Sequence, residues 1–259
     1  MTKNRPAIPE KIKRRVRQRC GFGCVVCGLP IYEYDHIIEF SKTKHHKADE
    51  LTLLCPTHHA LKTKKLLSAE QISHANKHPH NLKSGQVRTF TFDFLTDSPK
   101  FILGEQSFLN SSRIRPNLLA PILINGFAPF SFIVDTQGVM LSLEAQDQFG
   151  SIILKIEKSE VVFSTKNWDA TFVGSTIKIW DQSELFCLEL KHLPPQSFQI
   201  VKYSFYHNGV SIKIFKNEIT LSSETKHTLK LSGTGTIDAN IGILIGEHPK
   251  NLSVGVKLW

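Results

Sequence analysis

The chain has 259 residues, of which 41% are hydrophobic and 21% are charged, and its formal net charge at pH 7 is +9. This hydrophobic content excludes a disordered polyelectrolyte and is sufficient for a sizeable core. No stretch is long and apolar enough to span a membrane, so we expect no membrane partner.

Basic residues dominate the first predicted element, a helix that begins near Pro9. The N-terminus lacks the apolar core of a secretion signal, so we expect a cytoplasmic protein with reduced thiols. Residues 1–85 contain 16 basic residues (Lys and Arg) against 7 acidic residues (Asp and Glu), whereas residues 86–259 contain 16 basic and 16 acidic residues. Such a concentration of positive charge predicts a surface that binds nucleic-acid phosphates. The side chains predicted to form it are Arg14, Arg15, Arg17, Arg19, Lys62, Lys64 and Lys65.

Two pairs of metal-binding residues follow this helix. Cys24 and Cys27 are two residues apart, and Cys55 and His58 repeat the same gap. Two such pairs are typical of a closed tetrahedral Cys₃His site for structural Zn²⁺. Disulfides and buried inert thiols are the alternatives, but a reducing compartment disfavours the first and the glycines around Cys24 disfavour the second. We therefore predict one structural zinc ion, which would stabilise a module too small to fold on its own core.

A second pattern lies between and beside these ligands. The sequence from Tyr34 to Ile38 alternates like a β-strand, which directs Asp35 and His36 to opposite faces unless the strand twists or ends there. His59 directly follows His58 at the start of a predicted helix. The segments CVVCG, YDHI and LTLLCPTHHALKT, in this order, resemble the HNH endonuclease family over roughly the first third of the chain. The resemblance implies a ββα-metal fold, in which two strands and a helix surround one divalent cation.

The resemblance also implies a role for individual residues. His36 would be the general base that takes a proton from the attacking water, and Asp35 and His59 would bind a catalytic Mg²⁺ or Mn²⁺. A neutral imidazole near pH 7 suits the first task, and a cation suits the charge that develops on a phosphate. The family's central Asn is replaced by Glu50. Glu50 could bind the ion as an extra carboxylate or be a solvated acid, and His46 is the alternative occupant of this position.

The rest of the chain changes in character. A capping-box pattern predicts a short helix from Ser68 to about Asn76, and residues 77–85 are predicted to form a loop. From Gln86 onward, short β-branched and aromatic runs alternate with turn residues, including a hairpin turn at His207–Asn208–Gly209. We therefore predict an α+β protein, with a zinc-stabilised nuclease domain at 1–85 and a larger all-β domain of sandwich or barrel type at 86–259.

The HNH resemblance implies a metal-dependent endonuclease that hydrolyses DNA, in a family that often serves in restriction or defence. Because one metal site cuts one strand, we expect a homodimer formed through the β-rich domain, whose other role would be targeting. The first alternative is a zinc-stabilised DNA-binding module that has lost catalysis, with the β-rich domain as a sensor; Glu50 favours it. The second is an RNA-cleaving enzyme on the same scaffold.

Overall fold

The computed structural model of the chain has a small, mainly helical N-terminal part and a larger β-rich part, which confirms the predicted mixture of helices and strands. It divides into two compact units, Met1–Thr89 with Phe163–Phe172 and Phe90–Val162 with Val173–Trp259. None of the helices that the structure describes has both the length and the apolar character needed to cross a membrane. The residues described are 6–87, 90–113, 116–136, 138–147, 149–180, 186–225 and 227–258, without the side chains of 186 and 187.

The first unit is built from short helices around a two-stranded antiparallel sheet, in which β1 (Glu33–His36) pairs with β2 (Leu51–Leu54). A 3-10 helix at Ala48–Glu50 precedes β2. The helices and strands of this unit are α1 (Glu10–Cys20), β1 (Glu33–His36), α2 (Phe40–Thr43), β2 (Leu51–Leu54), α3 (Pro56–Thr63), α4 (Ala69–Lys77) and α5 (His80–Ser84).

Local sequence signals account for the ends of two helices. The helix predicted near Pro9 is confirmed, since α1 begins directly after this residue. The capping box of α4 is also confirmed, because Ser68 Oγ accepts the N–H of Gln71 at 3.2 Å and Gln71 Oε1 accepts the N–H of Ser68 at 2.8 Å.

The loop predicted at residues 77–85 is wrong in part, because α5 forms within it. The buried Asn81 amide of α5 donates hydrogen bonds to the carbonyl oxygens of Gly21 and Gly28, both at 2.9 Å. These two bonds satisfy backbone acceptors on either side of the first cysteine pair, and they supply a tertiary reason for a helix that local propensity does not indicate.

A buried ion pair connects α1 to a distant segment of the same unit. Arg17 Nε and Nη2 donate to the two carboxylate oxygens of Asp169 at 2.8 and 2.6 Å, and Arg17 Nη1 donates to Tyr34 Oη at 2.8 Å. Arg17 is only 3% exposed and Asp169 only 2%. Burial lowers the pKa of Arg17, but the Asp169 hydrogen bond and nearby charges outweigh it and raise the pKa above its ordinary value. The Arg17 guanidinium is therefore charged, and its hydrogen bonds to the Asp169 oxygens compensate its desolvation.

We expect the Arg17→Met substitution to lower the free energy of unfolding by about 3–5 kcal/mol, because it removes both short hydrogen bonds to the buried Asp169 carboxylate and leaves only Arg14 Nε, 3.4 Å from Oδ2, as a cationic neighbour. Urea unfolding of the full chain, followed by tryptophan fluorescence, measures this change. The exposed Arg15→Met is the matched control, and the double variant Arg17→Met with Asp169→Leu should recover much of the loss. A cost for Arg17→Met below about 1 kcal/mol would show that the pair is not energetically coupled.

The second unit is formed by two sheets. In one sheet the strand order is β20-β19-β6-β7-β8-β9-β10-β3, and in the other β12 to β17 follow each other in chain order, with β4 beside β14, β5 beside β4 and β18 beside β5. The strands from residue 90 onward are β3 (Phe90–Thr91), β4 (Lys100–Leu103), β5 (Gln106–Leu109), β6 (Asn117–Ile124), β7 (Phe130–Asp135), β8 (Gly138–Gln146), β9 (Ile152–Glu157), β10 (Glu160–Phe163), β11 (Asp169–Val173), β12 (Thr176–Trp180), β13 (Phe186–Leu193), β14 (Ser197–His207), β15 (Val210–Phe215), β16 (Glu218–Ser223), β17 (Thr228–Ser232), β18 (Gly235–Asp238), β19 (Ile241–Ile245) and β20 (Val254–Leu258).

Aromatic side chains join the two sheets in a common core. The rings of Phe101 and Phe132 are stacked with centroids 4.3 Å apart, and Phe130 meets Tyr203 edge-on at 5.4 Å. The predicted hairpin between β14 and β15 is confirmed, because Asn208 and Gly209 both have positive φ angles, 45° and 77°. Two consecutive positive φ values are typical of the tight turn whose twist matches that of the strands.

Candidate metal centre and the adjacent polar site

The four residues predicted to bind zinc lie together. One ligand atom from each of Cys24, Cys27, Cys55 and His58 lies within 4.8 Å of all the others. The Cys27 and Cys55 sulfurs are 3.8 Å apart, and His58 Nδ1 is 3.6 Å from Cys24 Sγ and 3.1 Å from Cys55 Sγ. A tetrahedral ion with Zn–S of about 2.3 Å and Zn–N of about 2.0 Å requires ligand separations of roughly 3.5–3.8 Å. The cluster could therefore hold a metal ion such as zinc.

A tight backbone turn presents the first cysteine pair. The N–H of Gly28 donates to the carbonyl oxygen of Cys24 at 2.7 Å, and the N–H of Cys24 donates to that of Leu29 at 2.9 Å. Gly23 permits this packing, because a Cβ atom there would lie 2.3 Å from the Gly28 carbonyl oxygen. Burial raises the pKa of the Cys24 thiol to about 12. Only a bound cation would therefore keep this sulfur as a thiolate at neutral pH.

The second pair of ligands starts helix α3. Cys55 is the residue before the helix and Pro56 is its first residue, which suits a position whose N–H has no helical acceptor. His58 then lies in the first turn, where it reaches the cysteines, and His59 points about 100° further around the helix. The first turn of α3 thus directs His58 to the metal cluster and His59 to strand β1.

A polar site forms where one face of β1 meets α3. Glu33 and Asp35 share a face of β1, and His59 and Lys62 are one helical turn apart. His59 Nε2 lies 3.7 Å from Asp35 Oδ1, and His59 Nδ1 lies 3.6 Å from Glu33 Oε2. The structure therefore places Asp35 beside His59, the two residues that were predicted to bind one divalent cation.

Two members of this site, Glu33 and Lys62, were not predicted to belong to it. The Lys62 ammonium contacts the Asp35 carboxylate and the carbonyl oxygen of His36, whereas Lys62 was predicted to lie on the DNA-binding surface. Glu33 lies against the second nitrogen of the His59 ring. The spacings Glu33-x-Asp35 on a strand and His59-x-x-Lys62 on a helix are the signals that could have found them.

His36 lies on the other face of β1, in a small cluster of rings. It is 3% exposed, and its ring centroid is 5.1 Å from that of Phe40 and 5.2 Å from that of His46. His36 Nε2 lies 3.3 Å from the carbonyl oxygen of His45 and 3.2 Å from His46 Nδ1. When Nε2 donates its proton to this carbonyl oxygen, Nδ1 is the basic nitrogen of the neutral ring.

Contacts in the loop before β2 distinguish Glu50 from His46 as the residue at the central position of the HNH pattern. Glu50 Oε2 lies 2.7 Å from His45 Nε2, and Glu50 Oε1 lies 3.6 Å from Lys47 Nζ, so Glu50 contacts side chains of its own loop. His46 contacts His36 through Nδ1 and lies 2.9 Å from the carbonyl oxygen of Pro6 through Nε2. The structure therefore places His46, rather than Glu50, beside His36.

The basic side chains predicted to contact nucleic acid lie in different environments. The Arg14 guanidinium stacks on the Trp168 ring at 4.1 Å, and Arg17 is buried against Asp169. Arg19 donates to the carbonyl oxygen of Ala48 at 2.6 Å. The exposed members of the predicted surface are Arg15, Lys64 and Lys65. Burial places Arg17 outside the predicted DNA surface, because a phosphate could not reach its guanidinium.

Comparisons with known proteins find no matching family model, no matching curated protein and no matching solved structure. A functional assignment for this chain consequently depends on its residues and their geometry.

Proposed function

We propose that the chain is a zinc-stabilised, metal-dependent endonuclease of the HNH type that hydrolyses DNA phosphodiester bonds. The observation that carries the proposal is the approach of Asp35 Oδ1 to His59 Nε2, 3.7 Å apart, beside a cluster with the composition and spacing of a structural zinc site. His36, next to Asp35 on β1, is the candidate general base.

The polar site has the donor set that a hard divalent cation requires. Asp35 and His59 would hold Mg²⁺ or Mn²⁺, which would neutralise charge on the phosphate when bound. Glu33 would orient the His59 ring through its second nitrogen, as carboxylates commonly do for histidine ligands. His36 would take the proton of the attacking water at Nδ1.

Loss of either proposed cation ligand should raise the cation concentration required for cleavage. We expect Asp35→Asn and His59→Ala to raise the half-saturating Mn²⁺ concentration at least tenfold, or to abolish cleavage, in assays on supercoiled plasmid. Glu39→Gln removes an acid at the end of the same segment and should leave the Mn²⁺ dependence unchanged. An identical Mn²⁺ dependence in all four proteins would refute the assigned ligands.

The exposed lysines after α3 should contribute to DNA affinity through the phosphates. For the double variant Lys64→Gln with Lys65→Gln, we expect the slope of log K against log salt to decrease by about 2 in magnitude, since each phosphate contact contributes about 0.9. Fluorescence anisotropy with a labelled duplex measures the slope. The pair Lys155→Gln with Lys250→Gln removes the same charge from the β-rich unit and should leave the slope unchanged. A wild-type slope in the Lys64/Lys65 variant would remove these residues from the interface.

A second candidate function is a zinc-stabilised DNA-binding module without catalysis, in which the β-rich domain acts as a sensor. The contact of Lys62 with Asp35 favours it, because an ammonium in that place competes with a divalent cation. The two candidates differ in cation binding. Calorimetric titration of the zinc-loaded protein with Mn²⁺ should show a site lost in Asp35→Asn if the chain is a nuclease, and no such site if it is a binding module.

The role in restriction or defence, the cytoplasmic location and the homodimer formed through the β-rich domain remain predictions from the sequence. The dimer has a physical motive within the proposal, since a single site that cuts one strand needs a second copy to break a duplex at one place.

A further inference from the structure

In the sheet that contains β14 to β17, one face is polar and open to solvent. Along β14 and β15, alternate residues point into the core and outward, and the outward pairs in register are Lys202 with Phe215, Ser204 with Lys213, and Tyr206 with Ser211. The same face continues over β16 and β17 through Glu218, Thr220, Ser222, Thr228, Lys230 and Ser232. Hydroxyls, lysines, the Glu218 carboxylate and two aromatic rings therefore make up this surface.

A groove of about 560 Å³ lies on this face, where a loop of the other sheet meets β14 and β15. Its lining includes Phe149, Tyr206 and Lys213. This volume lies within the range of about 300–1,000 Å³ that is typical of small-ligand sites. The groove is open at the surface, and the residues that line it all belong to the second unit.

Hydrogen bonds stabilise the turn that contains Phe149 and the hydroxyl of Tyr206 at this groove. Phe149 is 83% exposed. The turn that contains it is stabilised because Asp147 Oδ1 accepts the N–H groups of Phe149 and Ser151 at 2.8 and 2.9 Å. Tyr206 is 53% exposed, and its hydroxyl donates to the Glu224 carboxylate. A ring with a fixed side-chain hydrogen bond, as at Tyr206, loses little conformational entropy when a planar base stacks on it.

The charged groups at the groove are not equivalent. The Asp147 and Glu224 carboxylates already accept hydrogen bonds from the turn and from Tyr206. Lys213 is exposed and forms no ion pair with any residue in the described part of the chain. The groove thus combines rings that can stack on a base, an ammonium that can pair with a phosphate, and the hydroxyls of Ser204 and Ser211, which can donate to and accept from a base edge.

We infer that this groove binds an unstacked nucleotide of a DNA strand, with its base against Phe149 and Tyr206 and its phosphate against Lys213. That the nucleotide belongs to a DNA strand rests on the proposed function. Stacking on aromatic side chains tolerates any base, so the groove would recognise an exposed or extruded nucleotide rather than a sequence.

Photo-cross-linking and binding to one oligonucleotide test this inference. The probe is a single-stranded deoxythymidine oligonucleotide with one 5-iododeoxyuridine, and the protein is the full chain with His36→Ala to prevent cleavage. We expect cross-links at Phe149 or Tyr206. We also expect Phe149→Ala and Tyr206→Ala each to weaken binding by roughly 5- to 150-fold. Lys213→Gln should weaken binding by a smaller factor.

The same sheet face supplies matched controls. Phe215→Ala removes a ring outside the groove that is as exposed as that of Tyr206, and Lys230→Gln removes a lysine two strands away from Lys213. Both variants should bind the oligonucleotide like the parent protein. Parental affinity in Phe149→Ala and Tyr206→Ala, with cross-links elsewhere, would overturn the inference. Displacement of the probe by free thymidine monophosphate, at an equal concentration of nucleotide, would show that the groove binds a free nucleotide rather than a nucleotide within a DNA strand. If the protein never cuts plasmid but binds the probe at these two rings, the groove stands and the nuclease proposal fails.

Discussion

Replacing Cys27 with alanine is expected to abolish zinc binding and to unfold the first unit. The Cys₃His cluster joins a backbone turn to the start of α3, and its three thiols are buried or half-buried in a small core. A structural zinc site can contribute on the order of 10 kcal/mol to folding, more than a module of this size obtains from packing. Metal analysis should find about one zinc ion per chain in the parent protein and none in the variant.

Limited proteolysis separates loss of the ion from a local packing defect. Cys20→Ala is the matched control, because Cys20 is a buried free thiol outside the cluster. It should keep its zinc and its resistance to protease, and Cys27→His should recover part of both, because imidazole is also a zinc ligand. A Cys27→Ala protein that retains one zinc ion and parental protease resistance would refute the structural role of the cluster.

Removal of the His36 imidazole should produce the largest change in catalysis. A general base contributes about 10²–10⁴ to the rate, so His36→Ala should slow single-turnover cleavage of supercoiled plasmid by at least 100-fold in the presence of Mn²⁺. The contacts of Nε2 with His45 and His46 orient the ring. His46→Ala should therefore slow cleavage by a smaller factor, through loss of orientation rather than loss of the base.

His36 is buried, so the assay requires a check that the variant is folded. The conservative His36→Asn fills much of the same volume, and zinc content reports whether the first unit is intact. His74→Ala, at an exposed position on α4, is the matched histidine control and should cleave at the parental rate. Cleavage by folded His36→Ala and His36→Asn proteins within threefold of the parent would exclude His36 as the base.

The parts of this structure that could be predicted from sequence are those set by short-range rules. The two-residue gaps at Cys24 and Cys55 brought four ligands together because each gap fits one turn of backbone. Ser68 and Gln71 fixed the start of α4, and Asn208–Gly209 fixed a hairpin, since each pattern satisfies backbone requirements locally.

The parts that could not be predicted depend on contacts between distant residues. Arg17 has the appearance of a DNA-binding residue in a basic helix, and only its Asp169 partner, 152 positions away, makes it a buried structural group. Lys62 likewise has the appearance of a phosphate-binding residue, because it belongs to a basic segment, although its ammonium contacts the Asp35 carboxylate. Composition records the number of charges but not their partners, so a basic segment alone cannot separate surface cations from those that fold the chain.

Cleavage of supercoiled plasmid by the zinc-loaded full-length protein, with and without added divalent cation, is the most direct test of a metal-dependent phosphodiesterase. The account predicts intact plasmid in the absence of added cation and nicked or linear product once Mg²⁺ or Mn²⁺ is supplied. Plasmid that is bound by the protein but stays supercoiled in Mg²⁺, Mn²⁺ and every other divalent cation tested would contradict it.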